Sequence, residues 1–153
     1  MSRRVLYMAH PVAPTNLEIE ATPWSPLVDM RAKIALQVNL DAALRCLAWL
    51  RSSFPEITFI APWIATIKSL GNDDSPALRA AGLVDDCAVV ERCNGIVLMG
   101  KRISIGMRRE MEHGSAANFP DFSVYDLTGP LDIQFRPPSN GVTLDEYAKQ
   151  AKL

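Results

Sequence analysis

The sequence predicts a single-domain, doubly wound α/β fold: a parallel sheet of four to five strands with helices on both faces. Three observations predict it. Short apolar runs such as RVLYMAH, ITFIA and GIVLM recur along the chain, and near-continuous apolar character marks strands covered on both faces. Stretches of helical periodicity separate these runs, and strict strand–helix alternation implies right-handed crossovers and a parallel sheet. The 153 residues are 48% apolar and 22% charged, which suits one globular domain burying about two thirds of its unfolded surface.

The first strand is expected over 3–9, ending at Pro11. Residues 11–26 hold four prolines and little periodicity, so a long loop is expected, assigned to 11–38. A helix ending near Ser53 follows, with Leu40, Ala43, Leu44, Leu47 and Leu50 as its stripe. It starts either near Pro26 or at a shorter version capped by Asn39. The second strand is expected over 57–61, and 62–75 is a connection with a short helical possibility. Ser75-Pro76 opens a helix reaching about Arg92. The third strand falls at 95–99, a helix at 106–118 and the fourth strand at 122–127. Residues 1–128 thus form the α/β domain, and 129–153 a C-terminal tail with a short helix. The pattern is of the Rossmann or flavodoxin-like kind, whose ligands bind beyond the carboxyl ends of the strands where strand order reverses.

A formal net charge of −1 argues against a nucleic-acid partner. No apolar run approaches the roughly 20 residues that span a bilayer, so no membrane role is expected. Cys46, Cys87 and Cys93, odd in number and without paired spacing, argue against a disulfide framework and a zinc site; a cytoplasmic location follows.

The helix expected at 106–118 carries the candidate chemistry. Met107, Met111, Gly114 and Ala117 share a face, and Glu110 lies on it. A carboxylate on an apolar stripe is costly to bury unless paired or functional, and desolvation suits it to act as acid or nucleophile. The alternative is an edge residue pairing with Arg102 or Arg108. Ser104 and Gly106 stand at the helix start, where backbone N–H groups favour an anion. Lys101, Arg102, Arg108 and Arg109 make the neighbourhood basic. Ser104 as a simple N-cap is the other reading. Asp86 shares an apolar face with Leu83, Cys87 and Val90. Tyr7 lies near the carboxyl end of the first strand and His10 follows at its end. His113 sits on an outer face. Trp24 and Trp63, in or beside loops, could stack on a base or serve as core or lid packing.

Together these residues resemble the nucleoside 2-deoxyribosyltransferase-like family, which includes deoxynucleoside-monophosphate N-glycosidases. The resemblance rests on Leu6-Tyr7-Met8-Ala9-His10-Pro11, on Asp86, on Asn94 opening CNGIVLMG, and on Ser104, Gly106 and Glu110 in SIGMRRE, and covers about residues 3–127. It implies that Glu110 attacks the anomeric carbon of the sugar, giving a glycosyl-enzyme intermediate. It implies that Tyr7 orients Glu110, that Asp86 meets the leaving base and assists its protonation, and that Ser104 and Gly106 hold a 5′-phosphate if the substrate is a nucleotide. His10, Asn94 and Arg102 complete the substrate-binding set. The implied partner is a small-molecule nucleoside or nucleotide, with no cofactor and no metal, in a homo-oligomer of two or more subunits. Two departures stand out: Asn94, where the family more often has Asp, cannot act as acid or base, and Met107 replaces a small or hydroxyl residue. A non-catalytic nucleotide-binding or sensing module that keeps the pocket is therefore the second reading, and a purely structural domain with Glu110 paired to an arginine the third.

Overall fold

The computed structural model describes residues 2–70, 76–130 and 138–150. Its chain runs β1 (Val5–Ala9), α1 (Asn16–Glu20), α2 (Val28–Ser53), β2 (Thr58–Ile60), α3 (Pro62–Leu70), α4 (Pro76–Val90), β3 (Gly95–Leu98), α5 (Ile105–Ala117), β4 (Ser123–Asp126) and α6 (Leu144–Gln150). The four strands form one open, all-parallel sheet in the order β2-β1-β3-β4. The fold class read from the sequence is the one observed. Tyr7 pairs with Ile60 on one side and Ile96 on the other, so β1 is central and buried.

Helices cover both faces. α4 and α5 pack on each other. α2 meets α6 through Trp49 and Tyr147, whose ring centroids lie 5.4 Å apart, with Phe54 against the same tyrosine at 5.8 Å. Leu144 and Ala148 are buried, and the Tyr125 hydroxyl donates to Asp145 Oδ1 (3.0 Å). The segment expected as a tail therefore closes part of the core. Gly114 sets how closely α5 approaches its neighbours: a Cβ there would stand 2.4 Å from Phe122 Cζ and 2.6 Å from Val90 Cγ1.

The long loop expected at 11–38 is a correction. α1 forms within it, capped by Thr15 Oγ1, which accepts from the Glu18 N–H (3.2 Å). α2 begins at Val28, just after Pro26, which is the longer of the two starts the sequence allowed. Asn39 is no cap: its Nδ2 donates to the Val12 carbonyl (2.9 Å) and to Glu18 Oε2 (3.0 Å), tying α2 to the segment after β1. Among the described residues no helix is long and apolar enough to cross a membrane.

Candidate active site

β1 and β3 are neighbours, yet the chain leaves β1 towards β2 and leaves β3 towards β4 on the other side. Strand order reverses there, and in open α/β sheets the crevice beyond the carboxyl ends of such a strand pair, here β1 and β3, is where ligands bind. His10 and Pro11 follow β1 at that edge, Met99 to Ser104 follow β3, and the first turns of α5 start beside them.

Glu110 lies in the second turn of α5, 8% exposed, on the buried side with Met107 and Gly114. Removal from water pushes its carboxyl up to about 7; the nearby charge of Asp86 adds to the rise and the approach of the Tyr7 hydroxyl opposes it. Tyr7 is fully buried in β1, and its phenol is pushed up by desolvation first, then by the charges of Glu110 and Asp86. The two side chains are close enough to influence each other but stop short of hydrogen-bonding geometry. Neither the Tyr7 hydroxyl nor Glu110 Oε2 has a hydrogen-bond partner. The two groups still interact, the phenol favouring the ionised carboxyl, and both keep capacity for a further partner. Asp86, on α4, completes the group. Cys87 next to it belongs there too, its thiol pushed up by burial and by the charges of Glu110 and Asp86.

At the strand ends, His10 is buried and its Nδ1–H donates to the Pro11 carbonyl (2.7 Å). Because a carbonyl only accepts, this fixes the proton on Nδ1 and leaves Nε2 with its lone pair, enclosed and without a partner. Burial lowers the ring's pKa, and the Arg102 charge lowers it further. Gly100 lets β3 pass this close: it has φ 97°, and a Cβ would stand 2.7 Å from Pro11 Cδ and 3.1 Å from His10 Nε2.

Ser104 caps α5. Its Oγ accepts from the Met107 N–H (3.2 Å), and its own N–H donates to Met107 Sδ (3.3 Å), a capping box closed by sulfur. Gly106 leaves open space, with Ser104 Oγ at 3.9 Å from a Cβ built there. Lys101, Arg108 and Arg109 are exposed. Arg102 is engaged elsewhere: it donates to the Ala13 carbonyl (3.1 Å) and lies 3.5 Å from Glu18 Oε1, latching the segment after β1 together with Asn39.

A family model matches residues 30–122, more than half of the chain. The chain belongs to that family, Domain of unknown function (DUF7768). The span shared with the family carries Asp86, Ser104, Gly106 and Glu110, while Tyr7 and His10 precede it. No curated protein matches the chain.

Of the residues singled out in the sequence, the fold thus groups Tyr7, Asp86 and Glu110, and gathers His10, Arg102, Ser104 and Gly106 around the same edge. Asn94 stands apart. It precedes β3 at the amino-terminal edge of the sheet, and its Oδ1 accepts from the Val5 N–H (2.8 Å), so its amide pins strand pairing and does not line the crevice. Trp63 belongs to the core, its Nε1 donating to the Met8 carbonyl (2.8 Å), whereas Trp24 is exposed. The latch of Arg102 on Ala13 and Glu18 escaped sequence reading because no short spacing links those residues. Cys87 was visible on the face of Asp86 as a neighbour. A separate cavity of about 720 Å³, lined by Trp49, Ser53, Pro55, Asn140 and Thr143 among others, lies at the far end of α2 and holds none of these groups. Among the described residues no cluster of three His, Cys, Asp or Glu could hold a metal.

Proposed function

We propose that this protein is an N-glycosidase or 2-deoxyribosyltransferase of the cytoplasm, cleaving the N-glycosidic bond of a deoxynucleoside or its 5′-monophosphate, with Glu110 as nucleophile. The observation that carries the reading is the desolvated Glu110 carboxyl, titrating near 7 beside Tyr7 and Asp86 under the strand-end crevice. A carboxyl with that value is about half ionised at neutral pH, and in its ionised form is poorly solvated and therefore reactive.

In this scheme the Glu110 carboxylate attacks the anomeric carbon as the bond to the base breaks through an oxocarbenium-like state. Asp86 faces the leaving base and delivers the proton its nitrogen needs. The glycosyl ester on Glu110 is then opened by water, giving a free sugar, or by a second base, giving a new nucleoside. Tyr7 orients the carboxylate. A 5′-phosphate would meet the amino end of α5, where Gly106 leaves room and the Ser104 hydroxyl still has its hydrogen to donate. No step calls for a metal or an organic cofactor.

A second reading, a nucleotide-binding module without turnover, is favoured by one feature: the Tyr7 hydroxyl and Glu110 face each other without the hydrogen bond that would orient the nucleophile. Chromatographic detection of free base from a panel of deoxynucleosides and 5′-monophosphates, with and without an acceptor base, separates the two. Base release supports catalysis. Silence across the panel, with nucleotide-dependent thermal stabilisation, supports the binding module.

A further inference from the structure

α2 ends at Ser53 beside the cavity of about 720 Å³ that lies apart from the crevice, a volume that can enclose most of a small molecule. A helix leaves its last carbonyl groups without intrahelical partners, and its aligned peptide dipoles make that end negative. In α2 few of these carbonyls are satisfied. The Phe54 N–H takes the Leu50 carbonyl (2.9 Å), Pro55 has no N–H to give to Arg51, and the Ile57 N–H turns to the Phe54 carbonyl (3.1 Å). The carbonyls of Arg51, Ser52 and Ser53 receive no backbone N–H, and Ser52 and Ser53 line the cavity. The neighbouring carbonyls already draw the chain's own guanidinium groups. Arg3 donates to the Pro55 and Ile57 carbonyls, and Arg51 turns back to the Phe59 carbonyl (3.2 Å). Neither arginine lines the cavity.

The rest of the cavity wall continues this acceptor surface. Among the described residues that line it, Glu56 is the one charged side chain; it is exposed and in no ion pair among those residues. Asn140 adds an amide, and Trp49, Pro55 and Val142 add apolar surface. Trp49 is set in place by Phe54 and Tyr147, with ring centroids 6.0 and 5.4 Å away. An anion would meet the negative end of α2 and the Glu56 carboxylate, and a wholly apolar ligand would strip water from carbonyls it cannot bond. A guanidinium group suits both features: it has several N–H donors and no acceptor, is weakly hydrated, and packs on aromatic rings. We propose that this cavity is a second ligand site, separate from the crevice, for a guanidinium group on a short apolar stem. Glu56 is its counter-ion, the carbonyls that end α2 are its acceptors, and Trp49 is its apolar wall. The site is independent of the reaction assigned to Glu110.

Amide and indole NMR titration of the full chain with n-butylguanidine, and with N-acetylarginine amide, tests it. The expected result is saturable shifts at the Trp49 indole and at the Ser53 and Gly141 amides, with a Kd of about a millimolar or below for at least one probe. The tighter probe tells whether the group comes from a free guanidine or an arginine side chain. n-Butylurea, the uncharged isostere of n-butylguanidine, should bind at least about tenfold more weakly. Glu56→Gln should weaken binding about tenfold and Glu56→Lys should abolish it, both with the fold intact because Glu56 is exposed. No shift at these three residues up to about 10 mM of either probe overturns the assignment. So does n-butylurea binding as tightly as n-butylguanidine, or a titration indifferent to Glu56→Lys. Glu110→Gln should leave the titration unchanged. Base release is assayed on the same samples, so failure of this site and failure of the glycosidase reading are told apart.

Discussion

The Tyr7 hydroxyl and Glu110 Oε2 face each other across the layer between β1 and α5, both buried and neither hydrogen-bonded. Desolvation lifts both groups, the Glu110 charge lifts the phenol further, and the phenol's approach pulls the carboxyl back down. The pair is poised by its position in the fold: Tyr7 comes from the central strand, and Glu110 from the helix that the adjacent strand feeds.

Stability should depend on pH through Glu110. Its carboxyl titrates at about 7 in the fold against an ordinary 4.5, so between those values the unfolded chain is ionised while the fold keeps its proton. The contribution is fully present below the lower value, is lost as pH rises through the upper one, and stays lost above it. Glu110→Gln keeps the shape without the charge. It should therefore be more stable than wild type at about pH 8, by up to about 3 kcal/mol, with the gap closing towards pH 5. Urea melts of both proteins across pH check this; equal curves would mean that Glu110 is solvated.

Tyr7→Phe should retain the fold and move the activity profile. In wild type, kcat/KM should rise with pH through about 7 as Glu110 ionises. Removing the phenol removes the influence that lowers the Glu110 pKa, so the rising limb should shift to higher pH, with kcat reduced about tenfold to a hundredfold. An unshifted limb would make Tyr7 a packing residue.

Gly114→Ala should destabilise without touching the chemistry. The added Cβ would meet Phe122 Cζ at 2.4 Å and Val90 Cγ1 at 2.6 Å, forcing α5 away from its neighbours. A loss of about 1–3 kcal/mol in denaturant melts is expected. A neutral result would show that Phe122 swings aside.

Glu18→Ala should loosen the segment after β1, because Glu18 accepts from Asn39 and pairs with Arg102. Amide exchange over 11–20 should speed up about fivefold while β1 and β3 stay protected. Unchanged exchange would place the hold on that segment in Pro11 and the Val12 and Ala13 carbonyl contacts instead.

The strands and most helices were legible because buried parallel strands read as apolar runs and α5 shows its stripe plainly. The loop assigned to 11–38 was misread for a physical reason. Val28 to Val38 is apolar on both sides, which blurs helical periodicity, and the prolines at 11, 14, 23 and 26 suggested a longer irregular stretch than the fold contains. Glu110 was legible because a lone carboxylate on an apolar stripe is conspicuous. Asn94 was read correctly as opening the third strand, but its place in the substrate-binding set came from the family resemblance alone. A residue that opens a parallel strand lies at the amino edge, a strand's length from the crevice, and there its amide bonds Val5. The commitment of Arg102 to Ala13 and Glu18 depends on tertiary folding alone, and no spacing announces it.

The measurement that tests the central claim most directly is the rate of base release by wild type and by Glu110→Ala on the best substrate of the deoxynucleoside and 5′-monophosphate panel. Loss of about a thousandfold or more in the variant, with its fold intact by circular dichroism, is the predicted result for a missing nucleophile. Base release that persists in Glu110→Ala at near wild-type rate would contradict the assignment of the chemistry to Glu110.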